Sequence, residues 1–198
     1  MRVLAGIFFA ISTCVGATTI LEAPAFQECE LKAFVALTAA RNVMHLNATK
    51  ESLLTGENIG DYQRKMADDL FKYIEQSGSK DHGEFASNQL YDCAKSKELS
   101  LPTVEGLART CLKRHDIIFF LGVQRQCVLS AQEAVIEVKS GLTSRSSATY
   151  PAELIELLGP AVYGFPDDEF KLRKLVFESC FLPDDWRRLH NTKKDSPR

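Results

Sequence analysis

Six cysteines, at positions 14, 29, 93, 111, 127 and 180, are the residues of this 198-residue chain whose spacing promises chemistry. None belongs to a C-x-x-C pair, and no H-x-x-x-H accompanies them, so a zinc cluster is not expected. The chemistry they offer is disulfide formation, which needs an oxidising compartment. The four histidines, His45, His82, His115 and His190, are scattered over separate segments, and nothing local converges on any of them. His115 precedes Asp116 directly, and adjacent helical residues do not face each other, so all four are read as ordinary surface residues. The acidic runs Asp68-Asp69, Asp167-Asp168-Glu169 and Asp184-Asp185 lack the alternating Asp/Asn and central Gly of a calcium loop. The second run suits the positive end of a helix dipole. No catalytic residue, cofactor-binding residue or metal ligand is assigned, and no cofactor is expected.

The start of the chain places the cysteines in a compartment. One Arg, an apolar run from Val3 to about Val15 and then small residues form the anatomy of a secretory leader. Cleavage after Ala17 is preferred, with Ala23 second and a lipid anchor on Cys14 third. The apolar run is shorter than the roughly 20 residues a membrane span needs, so no stable membrane insertion of the mature chain is expected, and the location is the periplasm or the exterior. Loss of residues 1–17 leaves 23 basic against 26 acidic side chains, a net charge of −3. That balance lacks the positive stripe nucleic acid requires. With hydrophobics at 45%, the chain can bury a core and is not a disordered segment.

The elements that must position the cysteines are helical throughout. Leu31, Val35, Ala39, Val43 and Leu46 repeat at helical spacing, with Phe34 beside them, and predict an amphipathic helix over 28–46 with that stripe as its core face. Asn47 is read as the cap of a short second helix. Tyr62, Met66, Leu70, Tyr73 and Ile74 predict a third, ended near 77–79, and Phe85, Leu90, Cys93 and Ala94 a fourth from 84 to about 97. Pro102 marks a boundary. A long helix is predicted from about Val104 to Val128. Ser130 and Glu133 form a capping box for the next, Pro151 opens another that Gly159-Pro160 ends or kinks, and a last runs from Asp167 to Cys180. No segment alternates with period two, so the fold is expected to be all-α.

The two halves share a plan. "NQLYDC" ending at Cys93 and "LVFESC" ending at Cys180 each close a last helix, and Cys29 and Cys111 each lie near the start of a first helix that reaches Arg41 or Arg125. The chain is therefore expected to be a helical bundle of two similar disulfide-closed units: a leader over 1–17, a first unit over 18–98, a second over 99–183 and a tail over 184–198 that carries Trp186. Tying first helix to last stabilises a unit too small for a generous core. That favours Cys29–Cys93 with Cys111–Cys180, the alternative being a Cys93–Cys111 staple across the linker. Cys127 is left as a possible free thiol, expected to be buried because it aligns near Val43 or Met44. Asn47-Ala48-Thr49 also fits the N-glycosylation acceptor pattern.

Cys29, Ala36, Ala39, Ala40, Arg41 and Cys93, with "GPAVYGFP" at 159–166 and Cys180 as the second-half counterpart, resemble a diffuse class of small secreted helical proteins of proteobacteria. "LYDCAKSKEL" at 90–99 also resembles the cysteine-containing last helix of periplasmic immunity proteins of the type VI amidase class, which are disulfide-bonded toxin inhibitors. The leader, the bridges and the absence of convergent polar residues point to a non-enzymatic protein that binds another protein, an inhibitor or immunity factor being the form that the second resemblance implies. The alternative is a small carrier, whose helices would frame an apolar cavity of about 300 Å³ or more. An enzyme with a site assembled from distant residues ranks third.

Overall fold

The computed structural model describes residues 23–55 and 60–182. The proposed leader, Cys14, Trp186, His190, Asp184-Asp185 and the tail over 184–198 lie outside them. Among the described residues the chain is all-helical, with no strand. α1 (Pro24–Leu46) starts with Pro24 in its first turn, where a missing N–H costs nothing. It ends at Asn47, which adopts a left-handed φ of 55° and returns its N–H to the Asn42 carbonyl. Asn47 thus closes the first helix instead of opening the second. The cap of α2 (Lys50–Leu53) is Thr49, whose Oγ1 accepts from the Ser52 N–H at 3.2 Å.

α3 (Asp61–Ser77) stops at Gly78, with φ of 61°, and α4 (His82–Ser96) is capped by Asp81, whose Oδ1 accepts from Gly83 N and Glu84 N. The long helix predicted over 104–128 is two, α5 (Leu107–Lys113) and α6 (His115–Gln126), interrupted at Arg114 where Ile117 N bonds back only three residues to the Arg114 carbonyl. α7 (Ala131–Thr143) begins with the expected capping box: Glu133 N donates to Ser130 Oγ and Ser130 N to Glu133 Oε2. α8 (Ala152–Gly164) carries Pro160 inside it and continues past the Gly159-Pro160 step. A 3-10 turn at Pro166–Asp168 leads into α9 (Glu169–Phe181).

Two apolar clusters form the interior. The first joins α1, α3 and α4 to α5 and to Phe177, Phe181 and Leu182 at the end of α9. The second gathers Ile117, Ile118 and Leu121 of α6 with α7, α8 and Val176. The break at Arg114 therefore lets one apolar run serve both clusters, and it leaves the second half without a counterpart to the unbroken α1. Cys29–Cys93 ties α1 to α4 with Cα atoms 5.4 Å apart, and Cys111–Cys180 ties α5 to α9 at 5.5 Å.

α1 packs on α4 through a face other than the one expected. Cys29, Ala33, Ala36 and Ala40 are buried, while Leu31 and Leu46 are exposed. Small alanines allow the two helices to approach closely. The larger residues of the neighbouring stripe, Leu31 and Val35, line a groove together with Ala39.

Candidate functional site

Asp116 is the hub of a buried polar junction. It directly precedes the apolar run "IIFFLGV", and only 2% of it is exposed. Arg41, near the end of α1, donates from Nη1 to Asp116 Oδ1 at 2.9 Å, with its guanidinium carbon 3.5 Å from the Phe119 ring centroid. His82, the first residue of α4, meets Asp116 Oδ2 through Nε2 at 2.6 Å, and Tyr150, between α7 and α8, reaches the same oxygen at 3.4 Å. Burial works to raise the Asp116 carboxyl, but the His82 hydrogen bond and the neighbouring positive charges outweigh it and hold the group below its ordinary value. Burial, then the Asp116 charge, pushes the Tyr150 phenol far up, so it stays protonated and donates.

The chain continues outward. His82 Nδ1 lies 3.1 Å from His45 Nε2, and His45 is exposed. An ionised Asp116 can only accept, which assigns a proton to His82 Nε2 and leaves His82 Nδ1 and His45 Nε2 to share the next hydrogen bond. Partial burial first, and His82 second, hold the His45 imidazole below its usual value.

The second feature is a groove of about 340 Å³ between α1, α3 and α9. Phe34, Val35 and Ala39 of α1, Met66 of α3 and Phe170 of α9 supply apolar walls, and Phe170 is 56% exposed. His115 and Arg173 belong to the same lining. His115 is 4% exposed, packs against Phe34 with ring centroids 4.2 Å apart, and its Nε2 has no hydrogen-bond partner. Burial, helped by the nearby Arg173 and Arg41, lowers its imidazole to about 3, so the ring is neutral. Arg173 Nε is likewise unpartnered, although its Nη2 reaches Glu169 Oε1 at 2.8 Å.

A third polar group joins α1 to α9. Lys174 Nζ lies 3.1 Å from Glu30 Oε2 and 3.4 Å from Glu178 Oε1, while Glu30 Oε1 is buried without a partner. Burial foremost, then the Glu178 charge, raises the Glu30 carboxyl to about 7.

Two expectations are corrected here. His82 and His115 are not surface residues: each is buried because its partners come from other helices, 34 residues away for His82 and Asp116. Cys127 is an exposed free thiol, not a buried one, because it caps α6 after the apolar stripe has ended, next to Val128 at φ of 63° and 90% exposure.

Other charged residues have structural partners. Lys50 pairs with Asp68 and Lys65 with Asp69, both at 2.5 Å, and Glu169 pairs with Arg125 and Arg173. Among the described residues no group of three or more His, Cys, Asp or Glu side chains is placed to hold a metal ion, and no helix is long and apolar enough to cross a membrane.

The signal that would have revealed the junction was present in the sequence. A carboxylate followed by Ile-Ile-Phe-Phe must be paired if that run is buried, and Arg41, at the end of an alanine-rich helix, was a cation free to pair with it. No protein-family model matches this chain, and no curated protein or solved structure has significant similarity to it.

Proposed function

We propose that this chain is a secreted or periplasmic, non-enzymatic protein that holds an apolar ligand in the groove between α1, α3 and α9. The observation that carries this reading is the use made of the largest apolar stripe of α1. Exposed Leu31 and half-buried Val35, with buried Ala39 beside them, line an open groove of about 340 Å³. That volume falls within the range of small-molecule sites, which combine apolar walls with a few polar groups. The groove has such groups in Thr38, Asn42 and Gln63. The two disulfides, the apolar leader and the absence of a spanning helix among the described residues support an oxidising, extracytoplasmic location.

The test is titration of the mature protein with a fluorescent long-chain fatty acid and with 1-anilinonaphthalene-8-sulfonate. Saturable binding at one site per chain is expected, weakened at least about tenfold by Val35→Trp, which fills the groove, with circular dichroism unchanged. Binding of neither probe, or equal binding by Val35→Trp, removes the proposal.

A second reading, inhibition of a protein partner, is favoured by a different surface. Val128, Ile136 and Leu157 are all exposed around α6, α7 and α8. Large exposed aliphatics on neighbouring elements suit a protein contact. Charge substitutions at Ile136 and Leu157 would abolish such a contact and leave probe binding in the groove intact.

A further inference from the structure

We propose that His45 and His82 form a divalent transition-metal site, taking Zn²⁺, Cu²⁺ or Ni²⁺ between His45 Nε2 and His82 Nδ1. These nitrogens are 3.1 Å apart. Two imidazole nitrogens each 2.0–2.1 Å from one ion and separated by that distance subtend roughly 100° at it, between the square-planar and tetrahedral angles. The ring planes are perpendicular and their centroids are 5.0 Å apart. That separation is nearer the value for two imidazoles on one ion, about 4.8 Å, than for a collinear hydrogen-bonded pair, about 5.4 Å.

The support behind the ligands is already built. His82 presents Nδ1 outward because its Nε2 is engaged by the buried Asp116 carboxylate, which Arg41 and Tyr150 hold in place. A carboxylate on the remote nitrogen fixes the ligand's tautomer and increases its donor strength. His82 is also anchored as the first residue of α4, directly after the Asp81 cap. His45 is exposed, so an ion has a way in and open positions for water. Without metal, one proton lies between the rings. Binding needs both lone pairs, so that proton leaves, to His45 Nδ1 or to solvent, as the ion takes its place.

The surroundings select the kind of ion. Lys113 and Arg145 are positive charges that oppose a cation at His45, so the two imidazoles must bind strongly enough to outweigh them, and among the described residues no third His, Cys, Asp or Glu completes the set. Hard ions such as Ca²⁺ and Mg²⁺, which need several oxygen donors, are excluded by this donor set, whereas imidazole suits Zn²⁺, Cu²⁺ and Ni²⁺.

The test is calorimetric titration of the mature full-length chain with ZnCl₂ alone, and Cu²⁺ electron paramagnetic resonance, in a non-coordinating buffer. One ion per chain is expected, with coupling to two imidazole nitrogens. His45→Ala is expected to weaken binding at least about tenfold, the scale on which metal sites respond even to loss of supporting groups. Its exposed position leaves the fold intact by circular dichroism. His190→Ala, in the tail, is expected to change nothing. Unaltered affinity in His45→Ala, loss of binding in His190→Ala, or no saturable binding overturns the proposal.

Discussion

Arg41 and Asp116 are 75 residues apart in sequence, yet their side chains meet at 2.9 Å with both almost wholly buried. The pair joins α1, in the first apolar cluster, to α6, in the second. His82 and Tyr150 complete the carboxylate's partners from two further segments. A buried ion pair is not by itself a source of stability, because desolvating both charges offsets their attraction. Its structural consequence is specificity of arrangement: the two clusters meet where Arg41, His82 and Tyr150 converge on one carboxylate, with Arg41 Nε left without a hydrogen-bond partner.

Breaking this pair from one side is therefore expected to cost more than the pair contributes. Asp116→Ala leaves the Arg41 guanidinium buried against Phe119 without its carboxylate, and the expected loss is roughly 3–5 kcal/mol in urea unfolding. Removing both charges in Arg41→Met/Asp116→Leu should recover much of that loss. A double variant no more stable than Asp116→Ala would show that the cost lies elsewhere.

Helix existence was legible in the sequence because apolar spacing and caps are local. The Ser130–Glu133 box and the two pairs of bridged cysteines sit where spacing placed them. What spacing could not supply was which apolar stripe of α1 faces the core. Alanines score weakly as hydrophobes, yet Ala33, Ala36 and Ala40 carry the contact with α4, and the stronger stripe of Leu31, Val35 and Ala39 opens onto the groove. The junction was missed for a similar reason, since its members become neighbours only when α1, α4 and α6 pack. The break at Arg114 has no glycine or proline to announce it. It follows from the need to send Cys111 and Leu112 into one cluster and Ile117 and Leu121 into the other.

Close packing of α7 on α8 depends on Gly159. A methyl group there would overlap Val135 Cγ2, on a β-branched side chain with little freedom to turn aside. Gly159→Ala is expected to destabilise by about 1–3 kcal/mol, the overpacking cost exceeding the gain in helix propensity. In a Val135→Ala background the clash is gone, and the same change should be neutral or stabilising by up to about 1 kcal/mol. A thermal-unfolding double-mutant cycle reads this directly. Equal effects of Gly159→Ala in both backgrounds would remove the steric account.

Glu30 predicts a pH dependence of unusual sign. Its carboxyl rises from an ordinary 4.5 to about 7 on folding, with burial as the main cause and Glu178 adding to it, against the pull of Lys174. Between those values the native state holds a proton that the unfolded state has released. The contribution of Glu30 is complete below about pH 4.5 and is lost as pH rises through about 7, the reverse of a salt-bridged carboxylate. Glu178, also raised mainly by burial, acts in the same direction. Glu30→Gln keeps the shape without the titration. Relative to wild type it should gain stability as pH rises from 4.5 to 8, on the order of 1–3 kcal/mol. Chemical denaturation across that range measures it, and parallel stability profiles for the two proteins would show that Glu30 does not titrate across the transition.

The cysteines separate into two classes that one reagent can distinguish. Cys29–Cys93 and Cys111–Cys180 close intervals of 64 and 69 residues, for which chain entropy gives a stabilisation of about 4 kcal/mol each. Removing either bridge by paired Cys→Ala substitutions should lower stability on that scale, and the two losses should be similar because the loops are. Cys127 stands apart at the exposed end of α6. Iodoacetamide added without reductant to the native chain lacking residues 1–17, and so lacking Cys14, should label one thiol per chain rapidly, and peptide mass spectrometry should place the label on Cys127. Slow labelling would contradict the exposed position. Labelling at Cys93 or Cys180 would mean that the bridge anchoring the last helix of its half had not formed, and the stability of that paired variant would then match wild type.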